Sequence, residues 1–169
     1  MALVINGIKA SGCNVIKNGQ THPCKKINVN GVNVWNSEYL FFPSEYACVK
    51  DNWTSSGSGN FEVSETSMYF YSSTDGSSRT LPALPVDFSK YRTLHMEISA
   101  YNNNSKFIIR WRRTEDNGTA VSLAVDDLAE EERVGVHSFD IADINDTCYF
   151  CINGDHGGGG TITKIWFEE

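Results

Sequence analysis

The chain has 169 residues, enough for one ordinary domain or one domain with a small attached module. Acidic residues outnumber basic ones by 21 to 14, and the net charge of −7 argues against a general nucleic-acid binder or docking on an anionic membrane. No stretch approaches the ~20 apolar residues of a membrane helix, and the start, MALVINGIKA, lacks the basic head and apolar run of a signal peptide.

The first segment carries a repeat. Asn-Gly occurs at 6–7, 18–19 and 30–31, and the flanks are β-branched. Asn-Gly is the preferred pair for a two-residue type I′ turn, because both turn positions need positive φ. In KKINVNGVNVW (25–35), this turn would set Val29 opposite Val32 and Ile27 opposite Val34. Roughly three hairpins fit into residues 1–36, and such ribbons are marginal in water without something to pack on. SEYLFFPSEY, with Pro43, reads as a junction, and WTSSGSGN as a flexible polar loop.

From there strands dominate. FEVSETSMYFY (61–71) reads as one or two strands with a weak break at 64–67. STDGSSRT (73–80) is a turn or loop, and LPALPVDFSKY (81–91) is an extended crossing segment with two prolines. In TLHMEISAY (93–101), Leu94, Met96, Ile98 and Ala100 share one side, and His95, Glu97 and Tyr101 share the other. In KFIIRWRR (106–113), Phe107, Ile109 and Trp111 oppose Ile108, Arg110 and Arg112. TAVSLAV, VGVHSFDI, TCYFCIN and TITKIWFEE complete the strands, and DDLAEEER (126–133) is the one helical turn, with acids early and Arg133 late. Eight or nine short strands with regular turn signals predict an all-β fold. We expect a jelly-roll-type antiparallel β-sandwich over 39–169, preceded by a β-hairpin attachment module over 1–38.

No catalytic set has workable spacing, so the expectation is a protein that is not an enzyme. The five cysteines, Cys13, Cys24, Cys48, Cys148 and Cys151, make an odd, irregular set that reads as reduced and mostly buried thiols. Cys148-x-x-Cys151 with His156 suggests zinc, but residues three apart on a strand point to opposite faces. GDHGGGG (154–160) lacks the GK[ST] ending of a phosphate loop and reads as a hairpin loop. Asp75, Asp116, Asp143 and Asp146 could hold calcium in loops, although turn aspartates more often cap their own turns. No cofactor or metal is expected.

The richest candidate is a sheet face. Tyr69 and Tyr71 share one side of a strand, His95, Glu97 and Tyr101 one side of another, and Arg110 and Arg112 one side of a third. If these sides coincide, one face offers flat rings and fixed polar groups, which is what a sugar requires. Trp53, Trp111 and Trp166 read instead as core.

VINGIK (4–9), VIKNGQ (15–20) and KINVNGVNVW (26–35) resemble the N-terminal part of bacteriophage tail and other virion-associated proteins. The rest, about 45–169, is similar in organisation to jelly-roll carbohydrate-binding modules and tail-fibre tips, in phrases such as PVDFSKYRTLHMEI and HSFDIADIN. The resemblance implies a phage virion structural protein of the tail, baseplate or fibre, assembled in the host cytoplasm. Its partners would be other virion proteins or copies of itself, and a host-surface polysaccharide, with no nucleic acid and no membrane insertion. The alternative is a carbohydrate-binding module or adhesin domain of a bacterial surface protein.

Overall fold

The computed structural model describes residues 38–103 and 106–169, together with the backbone of six strands within 3–36. Those six are β1 (Leu3–Ile5), β2 (Ile8–Ala10), β3 (Asn14–Lys17), β4 (Gln20–Pro23), β5 (Lys26–Val29) and β6 (Val32–Asn36). They form three separate antiparallel pairs, closed by Ile5↔Ile8, Lys17↔Gln20 and Val29↔Val32. The three Asn-Gly turns lie outside the described residues. Val29 meets Val32 as expected, but Ile27 pairs with Trp35 rather than Val34, because the ladder shifts between Ile27 and Asn28.

Eleven further strands build the sandwich: β7 (Glu38–Phe42), β8 (Thr54–Ser56), β9 (Gly59–Val63), β10 (Met68–Ser72), β11 (Ser77–Asp87), β12 (Thr93–Asn103), β13 (Phe107–Arg113), β14 (Thr119–Ala124), β15 (Gly135–Asp140), β16 (Thr147–Gly154) and β17 (Gly158–Glu168). One sheet runs β15-β12-β17-β10-β9, with β7 also on β17; the other runs β14-β13-β16-β11-β8. All of these pairings are antiparallel. The chain passes repeatedly from one sheet to the other, so neighbours in sequence such as β12 and β13 belong to different sheets. This is the expected jelly-roll-type sandwich.

Aromatic rings fill the space between the sheets. Trp111 of β13 is fully buried and lies 4.8 Å from Phe41, 5.2 Å from Phe150 and 5.2 Å from Phe167, ring centre to ring centre. Phe41 and Phe167 come from the six-stranded sheet, so these contacts join the two layers through edge-on and tilted packing. Trp53 is also core, with its indole N–H donated to the Ala47 carbonyl at 2.9 Å.

Several local expectations are corrected. The junction SEYLFF contains β7, which pairs with β17 from Glu38 onward. Ser77–Thr80 is strand rather than loop. The break at 64–67 does divide β9 from β10. Pro82 and Pro85 fall where the β11–β16 ladder is interrupted between Leu81 and Val86, as residues without an N–H should. The acidic segment forms two short 3-10 turns, Val125–Asp127 and Glu130–Glu132, instead of one helical turn.

GDHGGGG is mostly not loop. Gly158–Gly160 is buried strand, and the glycines are needed for close approach. A Cβ on Gly159 would come 2.2 Å from the Phe70 carbonyl oxygen, and one on Gly160 would come 2.7 Å from both the Ala100 oxygen and the Phe107 ring.

Candidate glycan-binding face

The seven residues expected on one face divide between two. Tyr69 and Tyr71 on β10, and His95 and Glu97 on β12, share the outer side of the six-stranded sheet. Arg110 and Arg112 lie on the outer side of the five-stranded sheet. The sides do not coincide because β12 and β13, consecutive in sequence, lie in different sheets. Tyr101 leaves the set altogether: the ladder shifts on either side of Ile98, which exposes Ala100 and turns Tyr101 inward toward Phe107. The Arg133 guanidinium lies 5.0 Å over the Tyr101 ring, and burial pushes the phenol's pKa up.

On the six-stranded side, cross-strand partners largely satisfy one another. His95 accepts or donates a 2.8 Å hydrogen bond to Ser138 Oγ, and its Nε2 lies 3.8 Å from a Glu168 carboxylate oxygen. Its ring stacks on Trp166 at 4.7 Å and 16°. Lys164 Nζ sits 4.2 Å from the Trp166 ring centre. Trp166 is therefore outward, contrary to the core expectation. Its neighbours Ile165 and Phe167 are the fully buried ones. Glu97 pairs with Lys164 and Val136, and Tyr69 and Tyr71 pair with Glu62 and Asn60.

The five-stranded side is different. One row crosses all five strands: Ser122, Arg110, Cys151, Thr80 and Thr54. Beside it run Ile108, Asn153, Ser78 and Ser56 in one direction, and Arg112 with Tyr149 in the other. The Thr54 and Thr80 hydroxyls share a 2.9 Å hydrogen bond. Tyr149 donates its hydroxyl hydrogen to Asn117 Oδ1, and Arg112 Nη1 reaches the same oxygen at 3.5 Å. Arg112 Nε is buried without a partner, and Arg110 makes no hydrogen bond or ion pair among the described residues. Arg113, the next arginine along, does have a carboxylate: its Nε donates to Asp146 at 2.6 Å, which holds its pKa above the ordinary value.

A buried donor left unpaired calls for an explanation. Of the three others, Trp111 Nε1 and His137 Nε2 belong to side chains on the inner side of their strands, and His95 Nε2, on the outer side of the six-stranded sheet, lies 3.8 Å from the Glu168 carboxylate. Arg112 stands on the outer side of the five-stranded sheet, on the same side of β13 as Arg110. The arrangement supplies fixed guanidinium donors, hydroxyls and one phenol, which is chemistry for binding oxygen-rich molecules.

Other candidates resolve into structural roles. Cys148 faces the core and Cys151 the outer side, so the pair cannot share one ion. Both are free thiols; burial pushes Cys148 up to about 11 and also raises Cys151, against the pull of Arg112 and Arg110. Cys48 is a half-buried free thiol, while Cys13 and Cys24 lie outside the described residues. Asp116 accepts from the Gly118 N–H at 2.8 Å, Asp146 from Arg113, and Asp75 lies 2.8 Å from His156 Nδ1.

No protein-family model matches the chain, and no curated protein matches it. Among solved structures, the chain is similar to a low-affinity xylan-binding module from the gut symbiont Roseburia intestinalis, with a TM-score of 0.50 and 10% identity, over 78% of this chain and 94% of that one. A family 11 carbohydrate-binding module from Clostridium thermocellum, solved with a mixed-linked tetrasaccharide, covers 95% of its own length and 78% of this chain, with a TM-score of 0.46 and 14% identity. At this identity the likeness is one of fold: the chain has the β-sandwich of carbohydrate-binding modules.

Proposed function

We propose that the chain is a non-catalytic carbohydrate-binding module that holds a polysaccharide on the outer side of its five-stranded sheet. The carrying observation is the pair Arg110, with no hydrogen bond or ion pair among the described residues, and Arg112, with no carboxylate partner among them, set among Ser122, Thr80, Asn153 and Tyr149. Ring hydroxyls and ring oxygens of a glycan would accept the free guanidinium hydrogens, and serine and threonine hydroxyls can donate or accept as needed. The sandwich of the xylan-binding module supports this reading, which was the alternative in the sequence. The phage-virion role implied by the N-terminal ribbon has no support from the comparisons.

The division of the faces supplies the test. Arg110→Ala should weaken polysaccharide binding by about 1–3 kcal/mol, the usual loss of a charged hydrogen-bonding group. Tyr71→Ala, on the other sheet, should leave it unchanged. Isothermal titration of both variants against a panel of plant and bacterial polysaccharides checks the pair. Loss of binding in Tyr71→Ala with Arg110→Ala intact would move the site to the six-stranded side.

A further inference from the structure

Resting on that glycan-binding reading, we infer that the ligand is an acidic polysaccharide whose anionic groups are received by Arg110 and Arg112. Both residues lie on one side of β13, two positions apart, which sets their Cα atoms about 7 Å from each other along the strand. The rows they belong to, and the row through Ile108 and Asn153, contain no carboxylate. Glu115 and Asp116 come only in the turn beyond β13. The remaining members are hydroxyl, amide, phenol, thiol and methyl groups.

The chain as a whole has a net charge of −7, so carboxylates are in excess elsewhere. Three other cations do meet carboxylates, Lys90 with Asp87 at 3.2 Å, Lys106 with Asp155 at 4.0 Å and Arg113 with Asp146 at 2.6 Å, while Arg79 and Lys164 lie over aromatic rings. A neutral glycan would satisfy hydrogen-bond donors but leave two positive charges uncompensated in their rows. An anion does both, and a guanidinium presents its donors in a planar fork that matches a carboxylate. The surrounding hydroxyls and Tyr149 then serve the sugar rings that carry the anion. A plain polyanion would use the arginines and ignore these groups.

The test compares the wild-type chain with polygalacturonate, its carboxyl-reduced form, dextran sulfate, neutral xylan and single-stranded DNA. Polygalacturonate should bind ~10-fold or more tightly than its carboxyl-reduced form at low salt, with the preference shrinking as salt rises. Tighter binding of dextran sulfate than of polygalacturonate would support the same acidic class, with sulfate as the anion. Arg110→Gln and Arg112→Gln should each erase most of the preference, and Arg112→Lys should restore only part of it, because lysine keeps the charge and loses the fork. If Arg112→Gln fails to fold, Arg110→Gln decides alone, since that side chain has no hydrogen bond or ion pair among the described residues to lose. Equal binding of the carboxyl-reduced polymer would overturn the acidic ligand while leaving the glycan-binding reading in place. DNA binding as tight as that of any polysaccharide would overturn recognition of a glycan anion. Retention of no polysaccharide at all would overturn both readings.

Discussion

The two outer faces of the sandwich are built from similar side chains and use them differently. On the six-stranded sheet, His95 stacks on Trp166, Lys164 covers the same ring, and His95 reaches Ser138 and Glu168. These groups stabilise the sheet by meeting each other across strands. On the five-stranded sheet Arg110 makes no hydrogen bond or ion pair among the described residues and Arg112 keeps a buried donor unpaired. Aromatic content alone would have chosen the first face, because it carries Trp166, Tyr69 and Tyr71. The guanidinium of Arg110, without a hydrogen bond or ion pair among the described residues, favours the second. A ring already stacked has little left for a sugar, whereas an unmet cation beside hydroxyls loses stability in the free protein that a ligand can restore.

The comparison predicts that substitutions on the two faces separate stability from binding. The largest effect should come from Gly159→Val. A Cβ there meets the Phe70 carbonyl oxygen, which is backbone and cannot rotate away, so β17 must part from β10. We expect a loss of about 3 kcal/mol in urea unfolding, at the upper end for overpacking. Because Trp111 and Phe167 join both layers in one core, circular dichroism and tryptophan fluorescence should report one shared transition, shifted to lower urea. Two resolved transitions would show that the sheets melt independently, and the two faces would then need separate energetic accounts.

A smaller effect should follow from Trp166→Ala. The side chain is half-buried, stacked on His95 and covered by Lys164, so its removal should cost about 2 kcal/mol of stability through lost apolar burial and ring contacts. Polysaccharide affinity should not change. Arg110→Ala should behave in the opposite way, with binding lost and melting temperature kept. A Trp166→Ala protein that is stable but binds weakly would invert the assignment of the two faces.

Much of this architecture was legible in the sequence because it rests on short-range rules. The period-two alternation in FIIRWRR placed Phe107, Ile109 and Trp111 inside and Arg110 and Arg112 outside, as found. The Asn-Gly repeat marked three hairpins, and each described register brackets its Asn-Gly pair. What the alternation could not carry was sheet membership. Two strands joined by a short turn usually pair, but here β12 and β13 lie in opposite sheets, and that separated His95 from Arg110. Bulges were equally hidden. The shifts flanking Ile98 are set by how β12 meets β17, not by the letters near Tyr101. Gly158–Gly160 looked like loop because glycine carries no periodicity; only the contacts of Phe70 and Phe107 show why small residues are required. Trp166 looked like core for want of a signal that Ile165 and Phe167 had already filled the inner side.

The smallest prediction tests the edge of the six-stranded sheet through pH. His137 on β15 pairs with Met96 and faces inward, where burial lowers its pKa below the usual 6.5 despite a backbone hydrogen bond to Arg133 and the nearby Glu132. A lowered pKa means that the folded state holds this proton less well than the unfolded chain does. Above the unfolded value both states are neutral and His137 costs nothing. As pH falls below about 6.5, the unfolded chain takes up the proton first and gains stability, so the fold weakens until the folded pKa is passed. Melting temperature should therefore drop across that acid window in the wild type, and His137→Gln should flatten this part of the curve. The polysaccharide affinity of the folded protein should be indifferent to the substitution, because His137 and the arginine face belong to different sheets. An unaltered acid slope in His137→Gln would assign the loss of stability to other groups. A change in affinity would show that the edge of one sheet is coupled to the far face of the other.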